Sequence, residues 1–258
     1  MLDQVDLDDG VRAFVFTVGI PDVFIRLYDV GFLSETAKRM ARRELRFEIT
    51  RSVPETPYHI CLRRITRSPV ALIAAINGTA MGGGFELALA CDIRIALDGA
   101  HDLGLPEINV GLLPGAGGTQ RLPRLIGEGR AFEMIARGRT LSPAEALDWG
   151  IVSEVVAKDV ATRGLEIAEE RSRKPARAFR NVKRVIGTDS CRPLAEGLAD
   201  ERTLFCDAMF ADENLQAGRS PRRIMRQSRR SSDISYSGSA RCMVQRLSNI
   251  SRSPLCHL

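Results

Sequence analysis

Three consecutive glycines, Gly82-Gly83-Gly84, stand between an apolar run and a helical pattern, and they limit what this chain can fold into more than any other stretch. Before them, Val70-Ala71-Leu72-Ile73-Ala74-Ala75-Ile76 is uninterrupted apolar sequence between Pro69 and Asn77-Gly78, which reads as a strand buried on both faces. After them, Glu86-Leu87-Ala88-Leu89-Ala90 consists of good helix formers, so the glycines fall where a helix begins. Glycine there lets another group approach bare backbone N–H donors, and a helix N-terminus adds partial positive charge. The junction suits an anion or a polarised carbonyl, with Glu86 just inside it.

The rest of the chain surrounds that junction with ordinary globular sequence. Its 258 residues suit one large domain or two small ones, and 44% apolar with 27% charged residues is typical of a soluble fold. No stretch approaches the roughly 20 apolar residues of a membrane span, and the acidic opening Met1-Leu2-Asp3-Gln4-Val5-Asp6 is unlike a signal peptide. A cytoplasmic setting and no membrane partner are the expectation. Six cysteines without a CxxC pair argue for buried or incidental thiols, so no metal is expected.

Charge separates the chain into two parts. From Gly218 onward there are nine arginines and one acid, Asp233, so this tail carries +8 of a net +5, and the preceding body is slightly acidic. The tail also holds ten serines and few large apolar residues, which predicts disorder over 218–258. Arginine-rich tails also bind nucleic acid, but the interleaved aromatics and the folded module of such binders are absent, so no nucleic acid is expected as a partner.

Local patterns place the elements. Val11 to Val18 reads as a strand, Gly19 to Asp22 as a turn, and about Ser34 to Phe47 as a helix; Asp29 is a candidate cap before it. A helix is expected from about Tyr58 to Thr66, and Asp92 to Leu97 alternates as a strand. Gly111 to Leu122 forms a second glycine-rich entry into a helix, without the GK[ST] ending of a P-loop. Ser142-Pro143-Ala144-Glu145 is a capping box, its short helix ends at Gly150, and Ile151 to Val156 returns as a strand. Helices are expected again over about 160–173 and 193–211.

Two carboxylates stand out by context. Glu86 follows the triple glycine, and Glu107 follows Pro106 just before the second glycine loop. A lone glutamate is usually a solvated surface residue. Two of them beside electropositive backbone form what addition of water across a polarised double bond needs: one group activates water, the other handles the proton at the neighbouring carbon. His59, His101 and His257 have no Ser or Cys in a nucleophile-elbow context, which argues against a Ser-His-Asp hydrolase. Trp149 reads as a packing residue. Arg121 and Arg124 are candidates for phosphate contacts or for ion pairs.

The runs Ser68-Pro69-Val70 to Asn77-Gly78, Ala80 to Asp92, Pro106-Glu107 and Pro114-Gly115-Ala116-Gly117-Gly118-Thr119-Gln120-Arg121-Leu122 resemble the enoyl-CoA hydratase (crotonase) family. The likeness covers roughly residues 10–215. It implies an α/β fold of stacked ββα turns over 1–160, with the first hairpin and helix missing, a helical C-terminal region over 161–217, and the basic tail over 218–258. It further implies a homotrimer or hexamer acting on an acyl chain in thioester linkage to coenzyme A, which is part of the substrate; no separate cofactor is implied. The family's oxyanion hole maps onto the backbone N–H groups of Gly83 and Tyr28, its two catalytic glutamates onto Glu86 and Glu107, and its water-holding N–H onto Gly115. Both glutamates together point to hydration, because the family's isomerases commonly keep one. Isomerisation of the double bond and an inactive crotonase-like subunit are the alternatives. The chain departs from the family pattern at Arg26-Leu27-Tyr28-Asp29 and in a Glu86-to-Glu107 interval one residue longer, placed in the 98–103 turn.

Overall fold

The computed structural model describes residues 10–26, 30–188 and 192–209, and the backbone of 241–246. The elements recur as a strand in one sheet, a strand in a second sheet, then a helix. The first turn is β1 (Val11–Thr17), β2 (Asp22–Ile25) and α1 (Val30–Arg42). After α2 (Pro57–Arg67) come β3 (Ala71–Ile76), β4 (Gly78–Met81) and α3 (Gly83–Ala90). The third turn is β5 (Ile93–Leu97), β6 (Leu103–Gly104), a 3-10 turn (Glu107–Val110) and α4 (Gly118–Ile126). This is the stacked ββα arrangement that the family resemblance implies. Beyond it lie α5 (Glu128–Ala136), β7 (Thr140–Leu141), α6 (Pro143–Asp148), β8 (Glu154–Val156), α7 (Val160–Ser172), α8 (Ala176–Lys183), a π-helical turn (Arg184–Thr188), α9 (Leu194–Met209) and β9 (Arg241–Arg246).

The larger sheet has the order β8-β5-β3-β1-β9 and is parallel throughout. The smaller has the order β2-β4-β6-β7, with only β7 antiparallel. A parallel strand at the centre must be covered on both faces, which is why β3 is apolar without interruption. Its residues nevertheless sort by parity: Leu72, Ala74 and Ile76 join the main core with Phe14 and Phe16 of β1. Ala71, Ile73 and Ala75 join a second core with Val15, closed by Val160 and Ala168 of α7. Asn77 joins successive turns, donating to the carbonyls of Ile20 and Val23 while its Oδ1 accepts the N–H of Val18.

Several expectations meet the structure with differences. The helix expected from Ser34 to Phe47 runs from Val30 to Arg42 and gives way at Glu44, whose φ is 50°. Asp29, its candidate cap, lies outside the described residues. The strand expected from Ile151 is shorter: Ile151 and Val152 are buried as a turn, the carbonyl of Ile151 accepts from the Arg94 guanidinium, and only Glu154–Val156 pairs with β5. The 142–145 capping box forms as written, with Ser142 Oγ accepting from the Glu145 N–H and the Glu145 carboxylate accepting from the Ser142 N–H. The expectation of disorder over 218–258 is corrected at Arg241–Arg246, which pairs in parallel with β1. The edge of β1 offers unpaired backbone groups, and such an edge recruits a strand through main-chain hydrogen bonds whatever the strand's average polarity. The remainder of that tail lies outside the described residues.

Helix α8 lies within the helical region expected over 161–217, although no local pattern singled it out, and its last residue ties that region to the core. Lys183 Nζ donates to Asp92 Oδ2 at 2.8 Å and to the carbonyls of Val70 at 3.1 Å and Ile65 at 3.4 Å. Its side chain is 9% exposed. Burial pushes the Asp92 carboxyl above its usual range, with the ammonium and the Leu72 N–H pulling the other way. Lys183→Met removes the cation from that carboxyl, which keeps only the Leu72 N–H, and removes a donor from the Val70 carbonyl, so chemical denaturation is expected to show a loss of about 3–5 kcal/mol, with neutralisation of Asp92 moving the loss toward the lower figure.

Candidate active site

The site is built where the first turn of α3 meets the entry to α4. Gly82, at φ 54° and ψ −129°, turns the chain from β4 into α3, and its N–H donates to the Gly104 carbonyl of β6 at 3.0 Å. Gly84 has to be glycine: a Cβ there would sit 2.3 Å from both the Cβ and the carbonyl oxygen of Ile25. The helix start therefore lies directly against the end of β2. N–H groups of a helix's first turn lack an intrahelical acceptor, which leaves the Gly83 N–H available at the positive end of the helix. The Gly83 carbonyl accepts a hydrogen bond from the Tyr58 hydroxyl of α2.

Glu86 follows one turn later and is 2% exposed. Its Oε1 accepts the N–H of Ala116 at 2.7 Å and of Gly118 at 2.8 Å. Gly118 is the first residue of α4, so this carboxylate sits on a second helix N-terminus. A Cβ on Gly118 would stand 2.7 Å from Leu105 Cδ1 and 3.1 Å from Glu86 Oε1, which is why the second glycine loop continues into its helix. Burial raises the Glu86 carboxyl above its ordinary range, and the two N–H groups, then Arg121, pull it back.

Glu107 opens the 3-10 turn after Pro106 and is half-buried. Its Oε2 is buried without a hydrogen-bond partner among the described residues. Burial, reinforced by the charge of Glu86 and opposed by its own N–H, pushes this carboxyl up to about 7. The environment thus distinguishes two chemically similar groups: one accepts two backbone N–H groups that favour the carboxylate, and the other has one oxygen buried without a donor, which favours the acid.

Gly115 is exposed, and nothing lies within 4 Å of where its Cβ would be. Its carbonyl is 2.8 Å from His59 Nε2. His59 belongs to the site although no sequence pattern marked it, because the contact spans 56 residues and depends on how α2 packs. Arg121, a candidate for phosphate contact, is turned inward, its Nη1 donating to the Ala116 carbonyl at 2.8 Å. Arg124 Nη1 donates to the Gln120 carbonyl. Trp149 is a packing residue, half-buried with the guanidinium carbons of Arg130 and Arg139 at 5.2 and 5.3 Å from its ring centre. Tyr28, expected to supply the second oxyanion donor, lies outside the described residues. The described residues include no cluster of three or more His, Cys, Asp or Glu arranged to hold a metal, and no helix long and apolar enough to cross a membrane.

Glu86 thus lies between the helix start at Gly83 and the loop that follows Gly115, with Glu107 close enough to feel its charge. A sequence model described as enoyl-CoA hydratase/isomerase matches residues 1–222. YngF of Bacillus subtilis is 49% identical over 138 residues, 53% of this chain and 53% of that protein, so the chain spans about half of that relative's length. EchA8 of Mycobacterium leprae is 37% identical over 211 residues, 81% of this chain and 77% of that one. The first is named an enoyl-CoA hydratase/isomerase and the second an enoyl-CoA hydratase. Among solved structures, an enoyl-CoA hydratase from Bacillus anthracis superposes with a TM-score of 0.72 at 32% identity, covering 84% of this chain and 80% of that one.

Proposed function

The chain belongs to the enoyl-CoA hydratase/isomerase family, and from that premise we propose that it is a hydratase, adding water across the double bond of a trans-2-enoyl-CoA to give a 3-hydroxyacyl-CoA. The observation that carries this reading is the unequal setting of the two carboxyls, one accepting two backbone N–H groups at the entry to α4 and the other pushed up to about 7 by burial. Hydration needs a base and an acid at the same time, and a pair with separated proton affinities supplies both.

In this mechanism the thioester oxygen accepts the Gly83 N–H, with a second donor at Tyr28. As the C2–C3 double bond takes up water, that oxygen gains enolate charge, and backbone donors fixed in advance stabilise it where water would have to reorient. Water is held beside the exposed N–H of Gly115. Glu86 accepts a proton from the water while its oxygen bonds to C3, and Glu107 delivers its proton to C2. The cycle leaves Glu86 protonated and Glu107 ionised, and proton exchange with solvent restores both. Coenzyme A enters only as part of the substrate.

The test is loss of the enoyl thioester's absorbance when purified, folded protein meets crotonyl-CoA or a longer enoyl-CoA, with chromatography identifying a 3-hydroxyacyl-CoA. Conversion of a 3-enoyl-CoA to its 2-enoyl isomer without hydration would assign the isomerase reaction, and binding without turnover would mark an inactive subunit.

A further inference from the structure

The first turn of α2 touches both glycine loops at once. Its cap is Thr56, whose Oγ1 accepts the His59 N–H at 3.4 Å. Two consecutive residues then reach in different directions: the Tyr58 hydroxyl donates to the Gly83 carbonyl, and His59 Nε2 meets the Gly115 carbonyl at 2.8 Å. No other side chain is recorded on either carbonyl among the described residues.

The partners of the imidazole determine its protonation. A carbonyl oxygen only accepts, so Nε2 facing Gly115 carries the proton. The backbone N–H of Thr56, 3.2 Å from Nδ1, only donates, so Nδ1 is the acceptor. The Thr56 hydroxyl, 2.6 Å from the same Nδ1, turns its proton toward it. Both ring nitrogens are satisfied by the neutral Nε2–H form and by no other.

The loop this ring holds is open on one side: Leu112 and Leu113 are exposed and a Cβ on Gly115 would meet nothing within 4 Å, while Pro114 is buried and the Leu112 N–H donates to the Glu107 carbonyl. The Gly115 carbonyl shares its peptide plane with the Ala116 N–H that Glu86 accepts, and Arg121 holds the Ala116 carbonyl, so His59 is a further hold on that same peptide. We infer that the start of α2 is a brace for the two glycine loops, with Tyr58 holding Gly83 and His59, in its neutral Nε2–H form, holding Gly115. Both are positioning residues. The inference rests on the hydratase reading for its kinetic consequence, since it assigns oxyanion and water binding to the loops it holds.

The test compares His59→Phe, which keeps a ring but loses the donor, with His59→Gln, whose amide nitrogen falls near the position of Nε2. His59→Phe is expected to lower kcat about 10- to 100-fold, the scale of a catalytic group displaced by a fraction of an ångström to an ångström, with KM for crotonyl-CoA within a few-fold of wild type. His59→Gln is expected to restore most of that loss. Wild-type kcat in His59→Phe, or no rescue by His59→Gln, overturns the brace. Two further readouts do not need activity. The chain has three histidines, so 15N-histidine labelling of the full protein gives at most three pairs of ring-nitrogen signals, and the His59 pair is assigned by its absence in His59→Gln. A protonated Nε2 with an unprotonated Nδ1 at pH 8 supports the inference, and the opposite tautomer overturns it. Faster amide exchange at Ala116 and Gly118 in His59→Phe supports it, and unchanged exchange overturns it. If wild-type protein hydrates no enoyl-CoA, the hydratase reading fails, while the tautomer and exchange results still decide the brace.

Discussion

Glu86→Gln is expected to lower kcat for crotonyl-CoA hydration by about 100- to 10,000-fold, the usual contribution of a positioned acid–base group, with little change in KM or in melting temperature. Glutamine has the same shape, and its amide oxygen can accept the same two N–H groups that Glu86 Oε1 accepts from Ala116 and Gly118. The entry to α4 therefore keeps its place, and the buried polar atoms stay paired. What is lost is the negative charge that takes a proton from water. Steady-state kinetics and thermal unfolding on the same preparation separate the two effects. A variant that keeps more than a tenth of wild-type kcat removes Glu86 from the role of base.

Glu107→Gln is expected to cause a comparable loss of kcat, and it carries two further signatures because this carboxyl is pushed up to about 7. The first is in the pH profile. The protonated acid is the working form, so wild-type kcat/KM falls as pH rises through about 7, while protonation of Glu86 sets the limb at lower pH. The two groups interact, so the limbs report apparent values of the pair. The residual activity of Glu107→Gln lacks the descending limb. The second signature is in stability. A carboxyl whose folded-state pKa is raised favours folding below its ordinary titration range, and that contribution disappears as pH rises through about 7. Wild-type protein therefore loses stability between mildly acidic and neutral pH through this group, and Glu107→Gln does not. Melting curves at pH 5 and pH 8 are expected to show the variant gaining on the wild type at the higher pH, with equal or reversed stability there as the contrary result.

Much of the fold was legible because its signals are local. The apolar run of β3, the Ser142 capping box and the glycines before α3 each act within a few residues, and the pattern of one strand and one helix fits one answer. The two carboxylates were legible for a related reason: each sits next to a glycine-rich helix entry, which the sequence displays even though it does not display that Glu86 lands on the entry of α4. The contact of His59 with Gly115 was not legible, since it arises from packing between elements far apart in sequence, and His59 on its own suggests only a test for a hydrolase. Helix α8 was not singled out within the helical region because Lys174-Pro175 interrupts the periodicity and its apolar face is short. Strand β9 was missed because its neighbours are arginine and serine, and the reason it forms a strand lies in the open edge of β1.

Lys183 also has a consequence for the order in which the molecule assembles. Its ammonium has three protons, and the three acceptors it meets come from the end of α2, the start of β3 and the start of β5. None of these acceptors is arranged to receive it until the central strands have come together. Docking of α8 is therefore expected to come late and its release early on the way to unfolding, which native-state hydrogen exchange of the α8 amides would read as opening below the global unfolding free energy. During synthesis every one of those acceptors leaves the ribosome before Lys183 does, so a folded core waits for its clamp.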